Sequence, residues 1–217
     1  MVFGDEKLDL PEGFKADPDR PDVPFSFSAA RKYLDDKLAI QAKYRSRLAD
    51  ALEHADGAEI MLLSFTPVKK VPEGKGDDYF PIMPYKSFSQ ILQRKKLEKE
   101  KIAACRKATV ELLREADDHG GGAACHFPIH AVRLFRGKEI IFETSFCWVC
   151  HNYFVGYPDD FEGATWVGLF KTNIEAFLLK EMPIPQTEID RFDATYGDKD
   201  KSKPRKSIAP PAKDNRK

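Results

Sequence analysis

The sequence predicts an α+β fold: a mainly antiparallel sheet of three to five strands with two packed helices, plus a long N-terminal helix and a disordered C-terminal tail. Three observations carry this prediction. Short β-branched and aromatic runs alternate with Gly/Pro turns through the middle of the chain. Three stretches place apolar residues at helical spacing. From about Gly197 onward the chain is Lys, Ser, Pro and Asp, too polar to build a core. With 217 residues and 42% hydrophobic content, there is enough apolar surface for one domain. The expected boundaries are 1–25 for an extended lead-in, 26–196 for a single α+β domain and 197–217 for the tail. Within the domain, the N-terminal helix covers 28–54 and the core 58–186.

The lead-in contains Pro11, Pro18, Pro21 and Pro24 among acidic residues, which resist regular structure. Ser26 or Ser28 can cap the first helix. Leu34, Leu38, Leu48 and Leu52, with Tyr33, Ile40 and Tyr44, form its apolar face. Arg31, Lys32, Lys43, Arg45 and Arg47 read as a solvated outer face. Asp56-Gly57 ends that helix. Ala58 to Phe65 reads as a buried strand. A Pro/Gly-rich loop follows from Thr66 to Pro84, with an apolar second half, and Tyr85 to Ile91 reads as an edge strand. A helix is expected over about Gln93 to Asp118, with Ile102, Cys105, Thr109, Leu112, Leu113 and Ala116 inward. Asn152 to Tyr157 continues the preceding strand, Ala164 to Phe170 is a last strand, and a short helix over 172–181 is closed by Pro183.

Lys+Arg and Asp+Glu number 35 each, so no bulk charge favours nucleic acid. The basic cluster Arg94 to Lys101 alternates in sign and lacks aromatic residues, which also argues against a nucleic-acid surface. Met1 to Lys7 lacks the basic and apolar regions of a secretory leader, and no apolar run approaches the ~20 residues of a membrane span. The expected compartment is the cytoplasm, with no membrane partner. There, clustered cysteines point to metal or redox chemistry more than to a structural disulfide.

The cysteines lie on the stretch Cys125 to His151, two strand-like runs around Arg136-Gly137-Lys138. If Arg136-Gly137 is the loop, Cys125 falls opposite Trp148; if Gly137-Lys138 is the loop, it falls opposite Cys150. Either pairing gathers Cys125, Cys147 and Cys150 at one hairpin end. One reading of that end is a zinc (Zn) site with ligands Cys125, His130, Cys147 and Cys150, with His126 or His151 as substitutes for His130. An extended Cys125–His130 segment would span about 16 Å, so Pro128 must bend it for His130 to reach the ion. The second reading is thiol–disulfide exchange by Cys147 and Cys150, or pairing of Cys125 with either one. A third is c-type haem attachment at Cys147-Trp148-Val149-Cys150-His151. A fourth treats the sulfurs as small buried apolar groups.

The run Cys125-His126-Phe127-Pro128-Ile129-His130-Ala131-Val132-Arg133, then Gly137-Lys138, then Cys147-Trp148-Val149-Cys150, resembles a small uncharacterised bacterial family. That family carries Cys-Phe-x-Pro-Arg-His-Gly-x-Arg, a Gly-Lys turn and Cys-Phe-x-Cys. The matching positions are Cys125, Pro128, His130, Arg133, Cys147 and Cys150; the chain departs at His126, Ile129, Ala131 and Trp148. The resemblance spans about 58–186 and implies no activity. Together these observations lead to the expectation of a non-enzymatic binding or structural domain with a Cys/His metal or thiol site, the alternative being a thiol–disulfide oxidoreductase.

Overall fold

The computed structural model describes residues 27–83, 85–115, 126–157, 165–169 and 173–197. The lead-in, the tail beyond Gly197 and Cys125 lie outside the described residues. In chain order the elements are α1 (Phe27–Leu52), β1 (Gly57–Leu63), β2 (Tyr79–Ile82), β3 (Ser87–Lys96), α2 (Lys99–Arg114), β4 (His130–Arg136), β5 (Glu139–Cys147), β6 (Asn152–Val155), β7 (Thr165–Gly168), α3 (Asn173–Glu181) and α4 (Gln186–Tyr196). A short 3-10 turn, Gly76–Asp78, leads into β2.

The expected sheet of three to five strands is therefore corrected. Among the described residues, seven antiparallel strands join in the order β2-β3-β1-β4-β5-β6-β7, and the sheet curls into a half-barrel. The described helices number four, one more than expected. Three local events account for the difference. The apolar half of the central loop forms β2, whose Tyr79 and Ile82 pair with Gln90 and Ser87. Residues 93–96 belong to β3, not to a helix: Arg94 pairs with Met61 and Lys95 with Ile60. Residues 152–155 turn back along β5 as the separate strand β6.

The first helix buries Leu48, Ala49 and Leu52, as its spacing implies. It also buries Gln41 and Arg45, which corrects the solvated reading of Arg45. The Arg45 guanidinium donates to the Tyr157 hydroxyl at 2.9 Å, and Tyr157 packs against Tyr44. On α2 the inner face is Cys105, Ala108, Thr109, Val110, Leu112 and Leu113. These helices and α3 cover one side of the sheet, sealing Ile60, Leu62, Val132, Leu134, Phe142, Phe146 and Tyr153. The alternate residues Met61, Leu63 and Ala131 join Phe80 and Ile82 in a second apolar cluster on the other side.

A row of charges crosses that second side. Arg94 on β3 lies 3.9 Å from Glu59 on β1, Glu59 lies 3.9 Å from Arg133 on β4, and Arg133 lies 2.8 Å from Glu143 on β5. The Arg133 guanidinium also sits 5.1 Å over the Phe80 ring. Glu59 is only 3% exposed, so its charge depends on these partners. Arg133→Met should therefore cost about 2–3 kcal/mol in urea unfolding, whereas Glu143→Gln, at the wetter end, should cost less than about 1.

The β4–β5 hairpin turns on Gly137-Lys138. Gly137 has φ +60, a conformation that glycine adopts without strain. Its N–H donates to the Asp56 carboxylate at 2.8 Å, which ties the turn to the end of α1. The register runs Arg136↔Glu139 and Phe135↔Ile140, then shifts at a bulge to Leu134↔Phe142 and on to His130↔Phe146.

Candidate functional site

The far end of this hairpin is where the sulfur and imidazole groups meet. Cys147 closes β5, and Trp148, Val149, Cys150 and His151 form the turn into β6, with Cys147 opposite Asn152. His151 takes a positive φ of 47, which lets this turn close back into a strand. The motif thus lies on a strand-to-strand turn with no helix N-terminus to lower a thiol pKa. His151 is exposed.

The sulfurs divide into two kinds. Cys105 and Cys147 are free thiols, both buried, while Cys150 is disulfide-bonded. Cys147 Sγ accepts the Phe127 N–H and the Cys150 N–H, each at 3.3 Å. Burial pushes the Cys147 thiol up, and pushes Cys105, on the inner face of α2, up to about 12. Cys105 therefore sits where its helical spacing placed it.

His130 is wholly buried at the start of β4. Trp148 Nε1–H donates to its Nδ1 at 2.9 Å. Nδ1 is thus the acceptor, so Nε2 carries the proton and donates it to the Met182 carbonyl at 2.7 Å. Trp148 is stacked on Phe146, with centroids 5.4 Å apart and planes 9° apart. Burial holds His130 down to about 4.

His126 occupies a second polar nest. Its Nδ1 lies 2.8 Å from Asn152 Oδ1 and its Nε2 lies 2.8 Å from Ser145 Oγ. Because the amide oxygen can only accept, Nδ1–H donates and Nε2 accepts from the hydroxyl. This ring too is neutral and held down to about 4 by burial. The Ser145–His126–Asn152 row was not anticipated. Its signal was the alternation of strands: Ser145 faces the same side as Cys147, and Asn152 stands opposite Cys147. Ser145 is 2% exposed, so the row fastens three chain segments inside the protein.

The zinc expectation named Cys125, His130, Cys147 and Cys150. Both nitrogens of His130 are engaged, and the Cys150 sulfur is already bonded. Arranged so, these two side chains do not fit a zinc ion. Among the described residues no group of three or more His, Cys, Asp or Glu is placed to hold a metal. Nor is any described helix long and apolar enough to cross a membrane.

A fourth element reaches this end. On α4, Phe192 and Tyr196 hold the Phe127 ring at centroid distances of 5.4 and 4.7 Å. Phe65, at the exit of β1, completes the aromatic cluster, 5.1 Å from Phe192. The residue whose amide holds Cys147 is thus clamped by the last described helix.

Comparison with known proteins finds no matching family model, no matching curated protein and no matching solved structure.

Proposed function

We propose that this is a non-enzymatic binding or structural domain whose cysteine end is a thiol–disulfide site rather than a metal site. In this reading Cys150 pairs with Cys125, and Cys147 stands beside the bond as a shielded thiol. One observation carries it: among the described residues Cys150 is bonded, while Cys105 and Cys147 are free thiols. Cys125 lies outside the described residues, and its pairing with Cys150 is part of the proposal. The likeness to the small bacterial family, in which Cys125, Cys147 and Cys150 are matching positions, belongs to the same proposal. In a reducing compartment such as the cytoplasm a bond of this kind is transient and redox-sensing; in an oxidising one it is a staple. The oxidoreductase alternative needs a low-pKa, accessible thiol, and burial raises that of Cys147. Haem attachment needs the sulfur of Cys150, which the disulfide already uses.

The test is a thiol count on protein unfolded without reductant, paired with elemental analysis and peptide mapping. The expected result is two thiols per chain before reduction and four after, from the four cysteines of the sequence. Peptides should link Cys150 to Cys125, with no stoichiometric metal. Four thiols before reduction, or one zinc per chain, would overturn the reading.

A further inference from the structure

We infer that the open edge of β3 is a docking strip for an extended, acidic segment of another protein, which adds there as a further strand. The inference is independent of the cysteine end and of the disulfide reading. β3 is ten residues long, yet β2 pairs only with Ser87 to Gln90. Beyond Gln90, the side of β3 that faces away from β1 has no strand beside it among the described residues. Leu92, Gln93, Arg94 and Lys96 are exposed there.

The register decides which backbone groups are open. The Leu97 N–H donates to the Ala58 carbonyl at 3.0 Å, so Ala58 and Leu97 form a hydrogen-bonded pair. Alternation then makes Ile60↔Lys95 and Leu62↔Gln93 hydrogen-bonded pairs, while Glu59↔Lys96 and Met61↔Arg94 are not. The N–H and C=O of Arg94 and Lys96 therefore point away from β1, at the ~7 Å repeat of a ladder. The outer edge of β2 lacks such a set. The bonds between Val68 and Phe88 turn Phe88 away from β2, so its partner Pro81 faces outward, and proline has no N–H. The Tyr79 N–H is spent on the Gly76 carbonyl. Strand addition needs donors and acceptors together, and β3 presents both.

Charge selects the occupant. Residues 94–96 are Arg, Lys and Lys. Lys95 is held by Glu181, and Arg94 by Glu59 and the Asp77 carbonyl. Lys96 has no ion pair among the described residues. A second copy laid antiparallel on this edge would set these cations against their own kind, which is destabilising. The same cations favour an acidic strand, so the edge discriminates between partners by sign. Residues two apart share a face, so the segment carries an acid-x-acid pattern, one acid beside Lys96 and one beside Arg94. Leu92, 41% exposed, adds an apolar contact farther along. Asp77 and Asp78 lie at that far end, where the chain enters β2, and Asp78 is paired with Lys75 at 3.5 Å. Glu98 lies past the other end, at the start of α2.

The experiment is an NMR titration of the isotope-labelled full chain at low salt, with a short peptide of alternating Glu and Thr and a Lys/Thr counterpart. The expected result is that the Glu/Thr peptide moves the Arg94 and Lys96 amide protons downfield and slows their exchange with solvent several-fold. The amides of Gln93 and Lys95, already bonded to β1, should move far less. Added salt should weaken the binding, as it does for exposed charges. Lys96→Glu should weaken it several-fold. Lys96→Pro removes the cation and an outward N–H but no bond to β1, so it should abolish binding and leave the β1–β3 pairing intact. Should Lys96→Pro fail to fold, Lys96→Glu and the contrast between the two peptides decide the matter. Equal binding of the two peptides, or no change at Arg94 and Lys96 with millimolar Glu/Thr peptide, overturns the inference. So does finding those two amides as protected as Lys95 in the free chain, which would mean the edge is already covered. Sedimentation would then tell whether the cover is a second copy.

Discussion

Acidification from pH 6.5 toward pH 4 is expected to unfold this protein, because two buried histidines are kept neutral inside it. His126 and His130 are each held down to about 4, against about 6.5 in an unfolded chain. Between those values the unfolded chain binds protons that the folded one refuses, so stability falls as pH falls. The contribution is complete above about pH 6.5 and has drained away by about pH 4. Each ring contributes a slope of up to about 1.4 kcal/mol per pH unit, and the pair about 2.7. The pair's loss reaches about 4 kcal/mol at pH 5 and about 6 at pH 4. Against a typical total of about 5–15 kcal/mol, that brings a chain at the low end of the range through its midpoint between those pH values. Urea unfolding at pH 7.5, 6, 5 and 4.5 would measure it, and a flat profile down to pH 5 would contradict the two buried rings. Glu181 responds in a different window. Its hydrogen bonds to Lys101 and Lys95, at 2.6 and 2.8 Å, hold it down to about 2. Its contribution is present above the ordinary carboxylate range and is lost only as pH falls from there toward 2.

His130→Ala is expected to cost about 4 kcal/mol at pH 7.5, the largest effect of any single substitution at the cysteine end. The substitution leaves the Trp148 Nε1–H and the Met182 carbonyl without their partner, both in the interior. It also leaves a void the size of an imidazole. Trp148→Phe keeps the ring stacked on Phe146 and strands only the His130 Nδ1, so it should cost about 1–2 kcal/mol. His130→Ala should also reduce the acid slope to that of His126 alone, about 1.4 kcal/mol per pH unit. Urea midpoints of both variants at two pH values check the pair of expectations together. A loss below about 1 kcal/mol for His130→Ala would mean that the ring is not the hub the geometry makes it.

Much of the helical and strand layout was legible because burial and periodicity coincide. Leu48 and Leu52 on α1, Cys105 and Leu112 on α2, and the run Ile60 to Leu63 in β1 repeat at the spacing of the elements they build. A turn at Gly137 was legible because glycine readily takes the positive φ required there, but the choice of Gly137-Lys138 over Arg136-Gly137 comes from the Arg136↔Glu139 pairing. What escaped notice was settled by tertiary context. Gln93 to Lys96 has a helix-like mixture of charges, yet the open edge of β1 recruits it, and Lys95 reaches across to Glu181. The helix α4 did carry a signal, Ile189, Phe192 and Tyr196 at helical spacing, but a polar sequence surrounds it. Arg45 looked like a surface cation and lies in the interior against Tyr157. At the candidate site, the hairpin that carries His130 and Cys147 could be read from the sequence, while the expected approach of Cys125 lies outside the described residues. The sorting of sulfurs into free and bonded, and the engagement of every nitrogen of His126 and His130, could not, because they depend on residues as distant as Ser145, Asn152 and Met182.

The bulge beside Leu134 has a larger reach than its one residue suggests. By adding a single step to β5, it changes the parity of everything downstream: Phe142 and Phe146, rather than their neighbours, look toward the helices, and Ser145 and Cys147 look away. Excising Ile141 would remove the bulge and leave Leu134↔Phe142 through His130↔Phe146 in place. Excising Glu143, beyond the bulge, would not merely shorten a strand. It would exchange the oily and the hydrogen-bonding sides from there to the end of β5, sending Phe146 toward the place of Ser145 and Ser145 into grease, and no local repair could undo that inversion.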